Sequence, residues 1–339
     1  MDLKKIEKVF KKEPPFRFKQ AKKAVFQNLI ENWQKATILP QNLRQALSEN
    51  CPISELKPEK TLTSKGGETF KTLFELKDGL KIESVLMKHG STNSPRAGRR
   101  TICVSSQVGC AMGCQFCATG QQGFKRNLTS GEMIEQILFF ARLLERDRIT
   151  NVVFMGMGEP FLNYNNVLEA IKILNDKDGF NLGVRRISIS TVGITEGIKK
   201  LAEEKLQANL AVSLHAPNNE LRNKLILANK NYPIEKILAA VDDYIKKTKR
   251  RVMFEYLMID GVNDSEKEAE ELSKIMKKPL YFVNLISFNP IGHLDFKPSP
   301  GWKIKKFKEV LEKNGIAVTQ RYRFGREIQA ACGQLAGEK

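Results

Sequence analysis

The sequence predicts an α/β fold in which a parallel sheet of strand–helix units follows a basic helical segment and a small β-rich extension. Three observations carry that expectation. Past Arg100, strand-like runs at 102–106, 151–155, 187–191, 209–214, 252–259 and 281–287 alternate with stretches of helical period, and repeated βα units imply parallel strands joined by right-handed crossovers. Upstream, residues 69–76 and 81–87 alternate with period two across a Lys77-Asp78-Gly79 turn, which reads as an antiparallel pair. Third, three cysteines follow the first strand of the αβ alternation directly, at the strand end where parallel α/β folds place their chemistry.

At 339 residues the chain has length for about two domains. It is 41% hydrophobic and 28% charged, the make-up of a globular protein. No apolar run reaches the ~18 residues of a membrane span, and MDLKKIEKVFKKEPPF carries charge without the apolar stretch of a secretory signal. A cytoplasmic location with reduced thiols is expected. A formal charge of +18 and a pI near 9.6 attract polyanions, nucleic acid foremost. A lysine-rich surface also serves plain solubility, so charge alone does not choose.

In chain order, residues 1–48 read as a helical, basic accessory domain. Within 19–35, Ala21, Ala24, Val25, Leu29, Ile30 and Trp33 fall near 3.6-residue spacing; Pro14, Pro15 and Pro40 punctuate the segments. Lysines from Lys4 to Lys23 form either a solvated face or an RNA contact, and the second is the expectation. Residues 49–95 are the β-rich extension. Phe70, Thr72, Phe74 and Leu76 share one face, with Lys71, Leu73 and Glu75 on the other; Ile82, Ser84 and Leu86 lie opposite Lys81, Glu83, Val85 and Met87. Glu83 thus reads as an outward, solvated carboxylate. A loop over 90–100 brings Arg96, Arg99 and Arg100 to the core, residues 96–339. Helical patterns there cover 130–145, opened by a Thr129/Ser130 cap with Glu132 in the first turn, then 164–174, 234–247 and 265–277.

The cysteines lie in TICVSSQVGCAMGCQFCATGQQGF, residues 101–124, where Cys110, Cys114 and Cys117 form C-x3-C-x2-C. Zinc wants four Cys/His ligands, commonly as two C-x2-C pairs. No second pair exists, and His89, His215 and His293 are distant in sequence. A disulfide framework does not suit a long chain without a secretory signal. Three thiolates without a local fourth fit a [4Fe–4S] cluster with one iron left open; zinc or inert thiols are the alternatives. After the second core strand, Gly156-x-Gly158-Glu159-Pro160 lets backbone approach a ligand closely, with Glu159 able to accept from a cation or simply to cap a turn.

This pattern resembles the radical-SAM superfamily, and the longer run C-V-S-S-Q-V-G-C-A-x-x-C-x-F-C-A-T-G is similar to the RlmN-type rRNA/tRNA adenine-C2 methyltransferases. So are 151–160 (NVVFMGMGEP), 213–216 (SLHA) and the tail 330–335 (AACGQL). The likeness covers about residues 80–335; the N-terminal part shares mainly length and basic character. It implies a (β/α)6 partial barrel holding one [4Fe–4S] cluster on Cys110, Cys114 and Cys117, whose open iron binds S-adenosylmethionine (SAM), two molecules per turnover. It also implies that Gly158, Glu159, Ser190, Ser213, Leu214, His215 and Asn289 contact SAM. Read alone, Ser213 and His215 are ordinary strand-end polar residues and Asn289 is a turn initiator before Pro290.

The same resemblance implies that Cys332 carries a methyl group, that Cys103 resolves a covalent adduct as a disulfide, and that Glu83 is the base. Without it, Cys103 is a small hydrophobe on a strand, and Cys51, which matches no family position, is structural. The implied partners are 23S rRNA, tRNA and an electron donor such as flavodoxin or ferredoxin, with the protein a monomer. Arg99, Arg100, Arg185, Arg186, Arg321, Arg323, Arg326 and the lysines of 303–308 are the expected RNA rim. Two other readings stand beside this one: the related adenine-C8 methyltransferase, and a basic RNA-binding protein with a structural or redox cluster.

Overall fold

A computed structural model describes residues 1–90, 98–145, 147–292, 295–321 and 325–337. Arg96, His293 and Arg323 fall outside them, as does the side chain of Arg326.

The N-terminal segment forms three helices, α1 (Leu3–Val9), α2 (Pro15–Phe26) and α3 (Gln41–Asn50). A helix reading carried to Lys35 is too long. The chain leaves α2 after Phe26, Leu29 takes a left-handed φ of 54°, and Asn32 caps a single 3-10 turn at Trp33–Lys35. Trp33 is buried and its indole N–H donates to Cys51 O at 2.6 Å. These helices join the same apolar core as the sheet, and Arg142 of the core ties them down by donating to Leu29 O and Ile30 O.

Next come β1 (Lys57–Thr63), β2 (Thr69–Glu75) and β3 (Lys81–Lys88), an antiparallel unit. Phe74 faces the core and meets Phe139 edge-on with ring centroids 5.1 Å apart. The core continues with β4 (Arg100–Cys103), β5 (Gln107–Gly109), α4 (Ala118–Gln121), β6 (Phe124–Asn127) and α5 (Ser130–Leu143). Thr129 and Glu132 form a full capping box at the start of α5. Then follow β7 (Asn151–Phe154), α6 (Tyr164–Asn175), β8 (Ile187–Thr191), α7 (Thr195–Glu203), β9 (Asn209–Ser213), α8 (Asn219–Leu225) and α9 (Ile234–Thr248). The chain closes with β10 (Val252–Met258), α10 (Glu266–Ile275), β11 (Tyr281–Ser287), α11 (Gly301–Lys313) and β12 (Val318–Gln320).

One sheet runs β1-β2-β3-β4-β7-β8-β9-β10-β11-β12. It is antiparallel up to β4 and parallel from β4 onward. The β12 strand extends the six expected parallel strands by one; at three residues it is too short to show a period. Thus the antiparallel extension and the barrel are one continuous sheet, joined through β3 and β4. No helix among the described residues is long and apolar enough to cross a membrane.

Candidate active site

The cysteine loop is framed by its own small sheet. β5 and β6 pair antiparallel, and Cys110 N–H donates to Gly123 O at 3.0 Å, so residues 110–123 form a closed excursion. Gly109 is obligatory there: its φ is +70°, and a Cβ would lie 1.8 Å from Gly123 O. Inside the loop, Cys117 N–H bonds Cys114 O at 3.1 Å, while Gln115 N–H reaches Leu225 O at 2.9 Å and pins the loop to α8. The loop's exit is tied to the C-terminal segment, for Ala118 N–H donates to Gly333 O at 2.8 Å.

All three cysteines line one cavity of about 160 Å³ over the strand ends, with Gly158, Glu159, Ser190, Ser213 and His215 on the facing wall. Among the described residues no three His, Cys, Asp or Glu side chains converge closely enough to share one metal ion. In a [4Fe–4S] cube each thiolate takes its own iron, so the sulfurs need only face one cavity, and the donor set fits that group. Burial pushes the Cys110 thiol up to about 12 and raises Cys114 and Cys117 as well. Thiolates at these positions therefore call for bound metal cations, which a cluster would supply.

The wall opposite is built by backbone. Gly158 has φ +99°, and a Cβ there would lie 2.5 Å from Gln107 Cβ. Glu159 is buried; Oε1 accepts from Phe161 N–H at 3.0 Å and Oε2 from Val192 N–H at 2.7 Å. It joins the turns after β7 and β8, so the capping role is present in the structure. Burial lifts its carboxyl to about 7, leaving it receptive to a bound cation. Ser190 and Ser213 hydroxyls lie 3.4 Å apart. His215 Nδ1 accepts from Leu257 N–H at 3.0 Å, which leaves its proton on Nε2. Burial, aided by Arg222, lowers its pKa to about 3, and Phe116 packs on it edge-on at 4.9 Å. Leu214 is buried beneath the cavity and contributes its carbonyl to Arg222 rather than a side chain to the wall.

A second chamber of about 40 Å³ adjoins the first and is lined by Cys103, Cys332, Asn289 and Arg321. The two cysteines, separated by most of the chain in sequence, thus face one space. Burial pushes the Cys103 thiol up to about 12. Asn289 Oδ1 is buried without a hydrogen-bond partner in the protein, a polar atom waiting for a ligand. The segment bearing Cys332 is held by Gln334, whose amide donates to Pro290 O at 2.8 Å and accepts from Ala331 N–H at 3.2 Å.

Two expectations change. Glu83 is not solvated: it is 6% exposed, pairs with Lys71 Nζ at 2.7 Å, and accepts from the N–H groups of Ala336 and Gly337 at 2.7 and 3.3 Å. The C-terminal segment covers the face of β3 that alternation alone assigns to solvent. Arg321 is not on an outer rim. It lines both chambers, and the charge of a Cys332 thiolate raises its pKa. Arg222, on α8, carries no motif that would single it out. Fully buried, it donates to Leu214 O, Asn229 Oδ1, Tyr232 O, Val192 O and Ser213 O, fastening the ends of β8 and β9 beside Cys114.

The Radical SAM superfamily model matches residues 104–272. The "Ribosomal RNA large subunit methyltransferase N" of Nitrosopumilus maritimus is 48% identical over 300 residues, 88% of this chain and 85% of its own. The "Probable dual-specificity RNA methyltransferase RlmN" of Carboxydothermus hydrogenoformans is 46% identical, covering 95% of this chain and 92% of its own. A radical SAM methyltransferase crystal structure from Sphaerobacter thermophilus superposes with a TM-score of 0.94 at 43% identity, over 100% of this chain and 98% of that one. With its three-cysteine cavity opening beside a paired-thiol chamber, the chain belongs to the RlmN family of radical-SAM RNA methyltransferases.

Proposed function

We propose that the protein methylates C2 of an adenosine in 23S rRNA and of the adenosine 3′ of the anticodon in tRNA, using Cys332 as methyl carrier. The observation that carries this reading is that Cys332 and Cys103 share one chamber beside the three-cysteine cavity. Adenine C2 is electron-poor and does not attack a SAM methyl group itself, so the carbon must come through a protein group. Cys332 accepts a methyl group from one SAM as a thiolate nucleophile, with the Arg321 cation beside it. Cys110, Cys114 and Cys117 would hold a [4Fe–4S] cluster, which when bound would supply the electron for reductive cleavage of a second SAM. The methyl group on Cys332 would give up one hydrogen atom and its carbon would bond to C2, linking protein and RNA; the odd-electron adduct would then pass one electron back to the iron–sulfur group. Glu83 would take the C2 proton once the C-terminal segment releases it; the Cys103 thiolate would then attack the Cys332 sulfur and break its bond to the bridging methylene, which takes up a proton to become the methyl group as the two sulfurs remain joined in a disulfide.

Gly158, Glu159, Ser190, Ser213, His215 and Asn289, with the Leu214 backbone, hold SAM in this reading. A flavodoxin or ferredoxin supplies electrons, and the protein acts as a cytoplasmic monomer. Mass spectrometry of nucleosides from 23S rRNA and tRNA, after incubation with SAM and reductant, tests the assignment. 2-Methyladenosine in both is expected. 8-Methyladenosine would assign the C8 chemistry instead, and an unmethylated product pool would refute the reading.

A further inference from the structure

A cavity of about 630 Å³, larger than either chamber described above, contains none of the three loop cysteines and neither Cys103 nor Cys332; of the residues given catalytic roles above, Glu83 alone lines it. Its floor is the second face of the β1–β3 unit. Register places Lys60 beside Leu73 and Leu73 beside Glu83, with Leu62 beside Lys71, so Lys60, Leu62, Lys71, Leu73 and Glu83 share that face. The opposite face packs on α5 through Phe74. Leu73 therefore breaks the polar pattern of its own face and, with Leu62, gives the cavity an apolar floor.

The walls come from the two catalytic segments. Gln122 stands just past α4, the helix that begins after Cys117, and Gln334 follows Cys332; both line the cavity, with Ile328 opposite the floor. Lys71 and Glu83 pair with each other on the floor at 2.7 Å, and Glu327 offsets the charge of Lys60 among the lining residues. A neutral pocket of this kind is poorly suited to a phosphate and well suited to an uncharged ring with polar edges. Its volume lies in the range of small-molecule sites, and apolar faces combined with amide and carboxylate edges are how an unstacked nucleobase is held. The target base itself is placed elsewhere: its C2 must reach the Cys332 methyl group in the other chamber, and Glu83 meets it there only after leaving its Lys71 and Ala336 partners on this floor.

We propose that this cavity receives an unstacked nucleobase neighbouring the methylated adenosine, held between Leu62, Leu73 and Ile328 with its edge read by Gln122, Gln334 and Glu327. The inference rests on the RNA-methylating function proposed above. It assigns to the β extension a role in substrate specificity: the extension supplies a pocket that a free adenosine or a fully stacked duplex does not fill.

The test is a double-mutant cycle between protein and RNA. Leu62→Trp fills the pocket from an edge strand outside the catalytic machinery, and Ile328→Trp fills it from the other wall. The RNA is the substrate fragment that the wild-type protein methylates, with the nucleotides on either side of the target made abasic one at a time. Affinity and methylation are measured for each pair, and RNA-independent SAM cleavage reports integrity of the cluster cavity. We expect one abasic position to weaken wild-type binding by about tenfold or more, as loss of a held base does. Each tryptophan variant should lose a similar factor on intact RNA, lose nothing further on that abasic RNA, and cleave SAM normally. Penalties that multiply independently overturn the pocket, as does a wild-type protein indifferent to every abasic neighbour while still methylating. If both tryptophan variants lose SAM cleavage, the cavity is structural and the proposal fails. Absence of methyladenosine from the wild-type reaction would refute the functional reading itself, and this inference with it.

Discussion

Replacing Arg222 with lysine tests how the strand ends lining the three-cysteine cavity are held. The guanidinium donates to five acceptors: Leu214 O at 3.0 Å, Asn229 Oδ1 at 2.6 Å, Tyr232 O at 2.9 Å, Val192 O at 2.5 Å and Ser213 O at 3.2 Å. A lysine ammonium has three donors on one nitrogen, so at least two buried acceptors lose their partner. Each costs about 1–3 kcal/mol, roughly 2–6 kcal/mol together. Unfolding entropy near 2.1 cal/mol/K per residue amounts to about 0.7 kcal/mol/K for a chain of this length. Arg222→Lys should therefore melt about 3–8 °C below wild type, followed by circular dichroism on the metal-free protein. A variant melting within about a degree of wild type would refute the fastening role.

The charge of Arg222 is a separate question. Among the described residues its bonds go to carbonyls and an amide, not to a carboxylate, and burial lowers its pKa to about 10 while the neighbouring Cys114 raises it. A buried cation needs an anion, and a Cys114 thiolate holding the proposed cluster would supply one. Arg222→Gln should thus retain less iron after reconstitution than Arg222→Lys, although both lose hydrogen bonds. Equal iron in the two variants would detach the charge from the cluster.

Three further outcomes follow from the same geometry. Cys114→Ala should lose the cluster's visible absorption and all 5′-deoxyadenosine formation; a variant still producing it would remove Cys114 from the ligand set. Gly158→Ala combines a strained φ of +99° with a Cβ 2.5 Å from Gln107 Cβ, a strain of about 1–3 kcal/mol. SAM cleavage should fall about tenfold or more, and wild-type cleavage would show that the turn yields freely. Replacing the exposed Lys8, Lys11, Lys12 and Lys23 by glutamine should flatten the slope of log affinity for RNA against log salt by up to about 3. An unchanged slope makes that basic face a solubility feature.

Much of the fold is legible in the sequence where an element packs a face with its own period. The strand at Ile187–Thr191 and the capped helix from Ser130 are such cases. The short α8 and β12 were not legible, since a turn or two of helix and a three-residue strand leave no period to count. Trp33 looks helical because its spacing from Val25 and Leu29 suits a helix, yet Leu29's positive φ ends the pattern first. Cys110, Cys114 and Cys117 declare themselves by local spacing. Cys103 and Cys332 do not: only tertiary structure brings a buried strand end and a C-terminal segment to one chamber. The cover over Glu83 is hidden for a related reason. Alternation tells which residues share a face, and nothing local says that a segment 250 residues later covers it.

The most direct test of the central claim is the fate of Cys103→Ala incubated with RNA, SAM and reductant. If Cys103 only fills space, the variant loses modest stability and turns over slowly. If it resolves the adduct, Cys332 is still methylated and still adds to adenine, but no thiol follows: Cys51 is buried among the N-terminal helices, away from the chamber. A resolving Cys103 predicts a protein band bearing covalently linked RNA under denaturing conditions, with peptide mass spectrometry placing one bridging carbon on Cys332. The Cys332→Ala variant should show no band. Free methylated RNA at normal yield from Cys103→Ala, without a band, would contradict the account and reduce Cys103 to packing.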